Sequence, residues 1–227
     1  MKCPHCQQEN VVKNGKSLHG RQRWQCGDCQ RTFGESDQRR HSESTKQQAL
    51  RLYLEGVGFR GIERLLGVSH VAVMHWVKAK AKAQPAPPPV RAEEVEWVEC
   101  DELCTFIGKK KDFCWLWWAI DRASKTLCGW ALGDRSTATA RQLFGQLPCG
   151  AGLTYCTDHS APYAEIFENH PHLQGKAHTF TIESWNARLR HYLARLHRKT
   201  HCYSKSRDML RWSIQLFLAE KCLSTSI

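Results

Sequence analysis

Between residues 44 and 82 apolar side chains recur at steps of three and four, and between residues 95 and 132 they alternate or run together. The first pattern predicts helices. Ala49, Leu50, Tyr53 and Leu54 make one amphipathic face over residues 44–54, Ile62, Leu65 and Leu66 a second over 60–66, and a third helix follows over 70–82. Gly67-Val68-Ser69 supplies a tight turn, with Ser69 as the cap of the third helix. The second pattern predicts strands over 95–107, 113–121 and 127–132. A helix over 136–147 comes next, with Ala140, Leu143, Phe144 and Leu147 on one side, and then a fourth strand over 153–157. From Phe180 the chain turns helical again, and Trp185, Leu189, Tyr192, Leu193 and Leu196 share a face. Strands, a helix, a further strand and later helices describe an α/β domain with a mixed sheet.

The length of 227 residues holds one full-sized domain and a small one, or two modest ones. At 41% hydrophobic and 24% charged, the chain buries a core and is neither disordered nor fibrous. Its longest uninterrupted apolar run, residues 113–120, is far short of the ~20 residues a membrane-spanning helix requires, so no membrane partner is expected. The opening Met1-Lys2-Cys3-Pro4 turns polar at once, without the apolar segment of a signal peptide, and the expected location is cytoplasmic. Twelve cysteines in such a reducing compartment point to metal binding or burial rather than disulfides.

Charge divides the chain further. The net +11 is made of +8 over residues 1–84, −4 over 85–175 and +7 over 176–211. Basic ends around an acidic middle suit a polyanion held by the ends and cations held by the middle, and nucleic acid with a divalent metal fits that division.

Cys3-Pro4-His5-Cys6 and Cys26-Gly27-Asp28-Cys29 are two C-x-x-C knuckles separated by nineteen residues. Cys3, Cys6, Cys26 and Cys29 in this spacing complete a thiolate tetrahedron around a structural zinc ion, with short strands near Val11-Val12 and residues 21–25 between them. The other eight cysteines lack knuckle spacing and read as small core residues. The three helices after the ribbon have the outline of a helix-turn-helix, whose third segment would present His70, His75 and Lys78 to DNA. Pro85, Pro87, Pro88 and Pro89 then break any helix and mark an extended linker.

Three carboxylates stand where the predicted α/β order would bring them together. Asp101 lies within the first strand of that domain, Asp158 ends the fourth, and Glu183 begins the late helix away from its apolar stripe. Hard oxygen ligands so grouped suit two magnesium ions about 4 Å apart that act on a phosphodiester. Alternation puts Glu99 on Asp101's side of the strand and Glu102 on the other, which makes Glu102 the weaker rival for the first metal position. Asp121, at the end of the next strand, is a candidate fourth acidic neighbour, with a surface strand-end carboxylate as the commoner reading.

Several segments resemble the transposases of the insertion sequence one (IS1-type) family. They are Trp97-Val98-Glu99-Cys100-Asp101-Glu102-Leu103, Leu116-Trp117-Trp118-Ala119-Ile120-Asp121, Tyr155-Cys156-Thr157-Asp158 and Ile182-Glu183-Ser184-Trp185-Asn186-Ala187-Arg188-Leu189-Arg190, followed by Arg195-Leu196-His197-Arg198-Lys199-Thr200 and Tyr203-Ser204-Lys205-Ser206. The resemblance implies a ribonuclease H-like catalytic domain whose DDE triad is Asp101, Asp158 and Glu183, with twenty-four residues between the last two as in the family pattern. It implies a division into a zinc ribbon (1–36), a helix-turn-helix module (43–83), a proline-rich linker (84–92) and the catalytic domain (93–227), in one reading frame where the best-known members join two by frameshifting. The implied activity is metal-dependent cleavage and strand transfer on DNA in a prokaryotic, nucleoid-associated setting, with the element's terminal inverted repeats and a target as partners and a homo-oligomer assembled on them. Asn186 and Arg190 share Glu183's helix face and are expected at the phosphate. Arg195, Arg198, Lys199 and Lys205, within the +7 block, are expected on the DNA backbone. The competing expectation is a DNA-binding repressor with a catalytically inactive domain. A nuclease that cuts without joining is a further rival.

Overall fold

The computed structural model describes residues 1–17, 20–34, 41–85 and 90–222, with the side chain of Cys222 excepted. The predicted linker prolines Pro87, Pro88 and Pro89 lie outside the described residues. The chain forms two compact units, Met1–Thr45 and Lys46–Ile227.

The smaller unit is a three-stranded antiparallel sheet in the order β1 (Val11–Lys16), β2 (Gln22–Cys26) and β3 (Thr32–Gly34). Each knuckle is followed by a residue in the left-handed region, Gln7 at φ 62° and Gln30 at φ 58°. That conformation costs a non-glycine residue energy, and here it turns the chain sharply back after the second cysteine of each pair.

The larger unit carries a five-stranded mixed sheet in the order β6-β5-β4-β7-β8. Its strands are β4 (Trp97–Phe106), β5 (Phe113–Asp121), β6 (Leu127–Gly133), β7 (Thr154–Thr157) and β8 (His172–Gln174). The first three pair antiparallel, whereas β7 joins β4, and β8 joins β7, in parallel. The strong β-formers of β5 suit its interior place, between β6 and β4: Cys114 and residues 116–121 are all buried, as expected of a strand covered on both faces. Trp117 and Trp118 leave on opposite sides and seed two separate cores.

One core contains Trp117 with α4 (Thr137–Phe144) and α5 (Ala161–Ile166). The other contains Trp118 with α6 (Phe180–Tyr192) and α7 (Arg207–Phe217). This second core also takes in the apolar faces of α1 (Glu43–Leu54), α2 (Phe59–Leu66) and α3 (His70–Lys82). Val73, Val77 and Ala81 of α3 lie in it with Leu210, Ile214 and Phe217 of α7. The turn between α2 and α3 is as the sequence predicts, with Gly67 at φ 66° and the Ser69 hydroxyl accepting from Val71 N–H. The sequence leaves α5, β8 and α7 unpredicted.

The seating of α6 depends on Glu99, which has no exposed surface. Its Oε2 accepts the N–H groups of Thr181 and Ile182 at 2.9 Å each, in the first turn of α6. Its Oε1 accepts from Arg122 Nε at 2.7 Å, and Arg122 Nη2 donates to the His178 carbonyl at 2.8 Å. A buried carboxylate is tolerated when its lone pairs are filled in this way, and a negative charge at a helix N-terminus is favoured. Truncation would strand Arg122 and two helix N–H groups. Glu99→Ala is therefore expected to lower unfolding stability by about 3 kcal/mol or more in chemical denaturation, with Glu99→Gln retaining part of the loss.

Candidate functional site

In the small unit the four knuckle cysteines converge, with all four sulfurs within 4.8 Å of one another. Cys3 and Cys29 have Sγ atoms 3.6 Å apart, and Cys6 and Cys26 3.5 Å apart. A zinc tetrahedron with bonds of about 2.3 Å has edges of about 3.8 Å, so the cluster fits that ion with only slight expansion. His5 is not in the group; its backbone N–H donates to Cys3 Sγ at 3.4 Å, the kind of hydrogen bond that steadies a thiolate.

In the large unit the strand register explains the acidic site. The last paired residues of β4 and β7 are Glu99 and Cys156, so two residues further on Asp101 stands level with Asp158. Because β7 ends at Thr157, the edge of β4 beyond Glu99 is free. Side chains from both faces of β4 therefore reach Asp158, and Asp101, Glu102 and Asp158 bring carboxylate oxygens within 4.8 Å of one another. The alternation holds, with Asp101 on the Trp118 face beside Asn186 and Glu102 on the Trp117 face beside Arg135, but at the open edge both carboxylates come close to Asp158. Glu99, its favoured rival, is consumed in holding α6. Asp121 is likewise engaged, accepting the N–H groups of Ala123 and Ser124 in the turn between β5 and β6.

Glu183 lies outside this group of three. It is exposed in the first turn of α6, accepts from Thr179 Oγ1 at 3.3 Å, and lines the same cleft of about 710 Å³ as Asp101 and Glu102. A relay fixes Asp101: Trp118 Nε1 donates to Asn186 Oδ1 at 3.0 Å, and Asn186 Nδ2 donates to Asp101 Oδ2 at 2.6 Å. The Glu102 N–H donates to Asp101 Oδ1 at 2.8 Å. On Glu102, Oε1 accepts from Arg135 Nε at 2.9 Å, while Oε2 is buried near the equally buried Tyr163 hydroxyl, whose pKa it helps to raise. An acceptor-only set with a desolvated oxygen is what a hard divalent cation such as magnesium requires.

Burial, together with the charges of Glu102, Asp158 and Glu183, pushes the Asp101 carboxyl up to about 7, against the pull of the Glu102 N–H. Cations share the cleft. Arg190 and Arg198 both line it, and Arg190 Nη1 also donates to the Leu196 carbonyl at 3.0 Å.

The remaining predicted residues are scattered. His70 is tied to Glu63, Nδ1 to Oε2 at 3.0 Å, and the Lys78 ammonium sits 4.4 Å over the Trp212 ring of α7; His75 is exposed. Lys199 and Lys205 are exposed, whereas Arg195 is only 6% exposed and is enclosed beneath the α1–α2 corner, not placed on a solvated helix face. Of the other cysteines, Cys149 and Cys202 are exposed, against the expectation of core residues. Asn186, expected at the phosphate, makes its hydrogen bonds with Trp118 and Asp101. Only the three-residue step from Glu183 hinted at its place in this site.

Comparison with known proteins bears on both halves of the chain. Residues 95–224 match the family described as IS1 transposase, and residues 1–30 match the InsA N-terminal domain. The chain belongs to the IS1 transposase family. The IS1 4 protein InsB of Escherichia coli K12 is 34% identical over 111 residues, which are 49% of this chain and 66% of that protein. The IS1 InsB of Shigella flexneri is 33% identical over 111 residues, covering 49% and 85% respectively. The iso-IS1n InsB of Shigella dysenteriae is 33% identical over 121 residues, covering 53% and 92%. The chain thus spans just under two thirds of the first of these and most of the other two. A chain of the simian T-cell lymphotropic virus intasome solved with a PP2A regulatory subunit aligns over 75% of this chain and 65% of its own at 11% identity, with a TM-score of 0.34, too weak a likeness to support any inference. No helix among the described residues is long and apolar enough to cross a membrane.

Two measurements test the metal sites. A chelator such as 1,10-phenanthroline is expected to release one zinc ion per chain and to collapse the amide dispersion of Met1–Thr45 in NMR spectra. In the metal-free protein the folded Asp101 keeps its proton where the unfolded chain has lost it, so stability falls as pH rises from 3.8 to about 7. Asp101→Asn is therefore expected to melt higher than the parent at pH 8 without metal. The two should converge as the pH drops below that window, with magnesium restoring the parent alone.

Proposed function

We propose that this chain is a metal-dependent DNA transposase whose larger unit contains a ribonuclease H-like catalytic domain with Asp101, Asp158 and Glu183 as its triad. The observation that carries this reading is the β4–β7 register, which sets Asp101 level with Asp158 beneath the helix that bears Glu183. These carboxylates would hold magnesium, which when bound would neutralise phosphate charge and activate the attacking and leaving oxygens of a phosphodiester. Glu102, held by Arg135 on one oxygen and buried beside the Tyr163 hydroxyl, lies close enough to Asp101 and Asp158 to share that role. Asn186 keeps the Asp101 carboxylate turned into the cleft, and Arg190 and Arg198 attract the phosphate that the four acids alone would repel.

The zinc ribbon and the helices α1–α3, as a helix-turn-helix, recognise the element's terminal inverted repeats, with His75 as the exposed contact on α3. Lys199 and Lys205 neutralise the backbone beside the scissile bond. Water attacks first and a DNA 3′-hydroxyl second, so one site serves hydrolysis and strand transfer, and two ends handled together require a homo-oligomer on DNA in the cytoplasm.

The test is cleavage and joining of labelled DNA that carries the element's ends, run with magnesium. The parent is expected to cut and join, and Glu183→Gln to bind the same DNA without cutting it. Asn186→Ala should lose about 10–100-fold in activity with a matching loss of magnesium affinity, because it orients a ligand. Binding without cleavage in every protein would leave a repressor with an inactive domain, and cleavage without joining would leave a nuclease.

A further inference from the structure

We infer that the larger unit carries a second ligand site, a cavity that accepts one unstacked nucleotide of the bound DNA strand with a phosphate on Arg195. This rests on DNA being the substrate, as proposed above.

The cavity, of about 850 Å³, lies between the α1–α2 corner and the segment joining α6 to α7. That volume falls within the roughly 300–1,000 Å³ of small-ligand pockets. Arg60, Arg64, Arg195 and Lys205 line it, with no Asp or Glu among the lining residues. Arg195 is the central residue. Its Nε donates to Tyr53 Oη at 2.9 Å and its Nη1 to Ser204 Oγ at 2.8 Å. The guanidinium lies 5.8 Å from the Tyr53 ring centroid and 5.1 Å from that of Phe59. All of these partners are neutral, and no carboxylate pairs with Arg195 among the described residues. A guanidinium taken so far out of water requires a counter-charge, and the groups facing it supply none. Two of its five N–H donors are used in these bonds, which leaves a fork suited to a phosphate.

The rest of the wall excludes a bare anion as the natural occupant. Val57, Phe59 and Met74 line the same space, and Phe59 is stacked on Tyr53 with centroids 4.9 Å apart and planes 6° apart. A planar apolar group joined to a phosphate satisfies both parts of the cavity, and a nucleotide is that combination. Its position also fits. The segment between α6 and α7 lines the acidic cleft with His197 and Arg198 and this cavity with Arg195 and Lys205, so the two openings share one wall.

Cys202, an exposed residue whose sulfur packs against Gly58, lines the cavity and serves as a reporter, while the exposed Cys149 lies outside it. Alkylation by N-ethylmaleimide, followed by peptide mass spectrometry, is measured with and without a duplex that carries the element's end. The same duplexes are used with a single abasic position moved step by step around the cleaved phosphate, and DNA binding is read by anisotropy on the same samples. Bound DNA is expected to slow Cys202 alkylation about tenfold and leave Cys149 unchanged, with protection lost at one abasic position and in Arg64→Glu. Arg195→Met is expected to lose protection too. Arg64, exposed on the rim, tests the cavity without disturbing the buried network. Protection that survives every abasic position means the duplex merely covers the opening, and equal protection by inorganic phosphate means a simple anion site; either overturns the inference. Binding without protection at Cys202 overturns it and leaves the transposase reading standing, whereas no binding at all removes both.

Discussion

A single buried carboxylate holds the two halves of the candidate active site together. Glu99 accepts the first turn of α6 on one oxygen and Arg122 on the other, and Arg122 lies over the rings of Trp97 and Phe180. The sheet supplies Asp101 and Asp158, but Glu183 and Asn186 ride on a helix whose polypeptide arrives some twenty residues later. Without an anchor, a helix of thirteen residues would be free to slide along an apolar surface that Ile182, Trp185 and Leu189 could meet in more than one register. Hydrogen bonds to two successive helix N–H groups admit only one.

With that register set, the rest of the site follows from polarity. Four acids and two arginines line or flank one cleft, and Asp101 responds by keeping a proton near neutrality when no cation is present. The acids on their own are a strained arrangement that a divalent ion relieves. Arg135 is spent on Glu102, but Arg190 is held by a carbonyl oxygen, which leaves its charge available to a substrate.

Much of this was legible in the sequence. The strands β4 and β5, the helices α2 and α3, the turn at Gly67 and the cysteine knuckles follow from periodicity, capping and ligand spacing, all of them local properties. The alignment of Asp101 with Asp158 was also accessible, since it needs only two adjacent parallel strands. What escaped depends on where a strand lacks a neighbour. Glu102 reaches the metal-capable group because β7 stops at Thr157, and a period of two along β4 says nothing of its partner's length. Charge counting grouped Arg195 with the cations expected on the DNA backbone, and its burial against Tyr53 and Ser204 leaves no trace in its own segment. The short α5 and β8 offer too few residues for any period to show, and α7 was absorbed into a charge block.

The packing of α3 on α7 carries a consequence for how such a chain can change. Val73, Val77 and Ala81 occupy the same apolar core as Trp118 and Leu189, and Lys78 lies on Trp212. The helices α1–α3 are therefore not an appendage to the sheet but part of one of its cores. A new specificity cannot be acquired by exchanging this helical segment as a cassette, because the incoming inner face would have to match a core already filled by α6 and α7. Substitution is confined to the outer positions, such as Val71 and His75, where a residue can be altered without the sheet registering it.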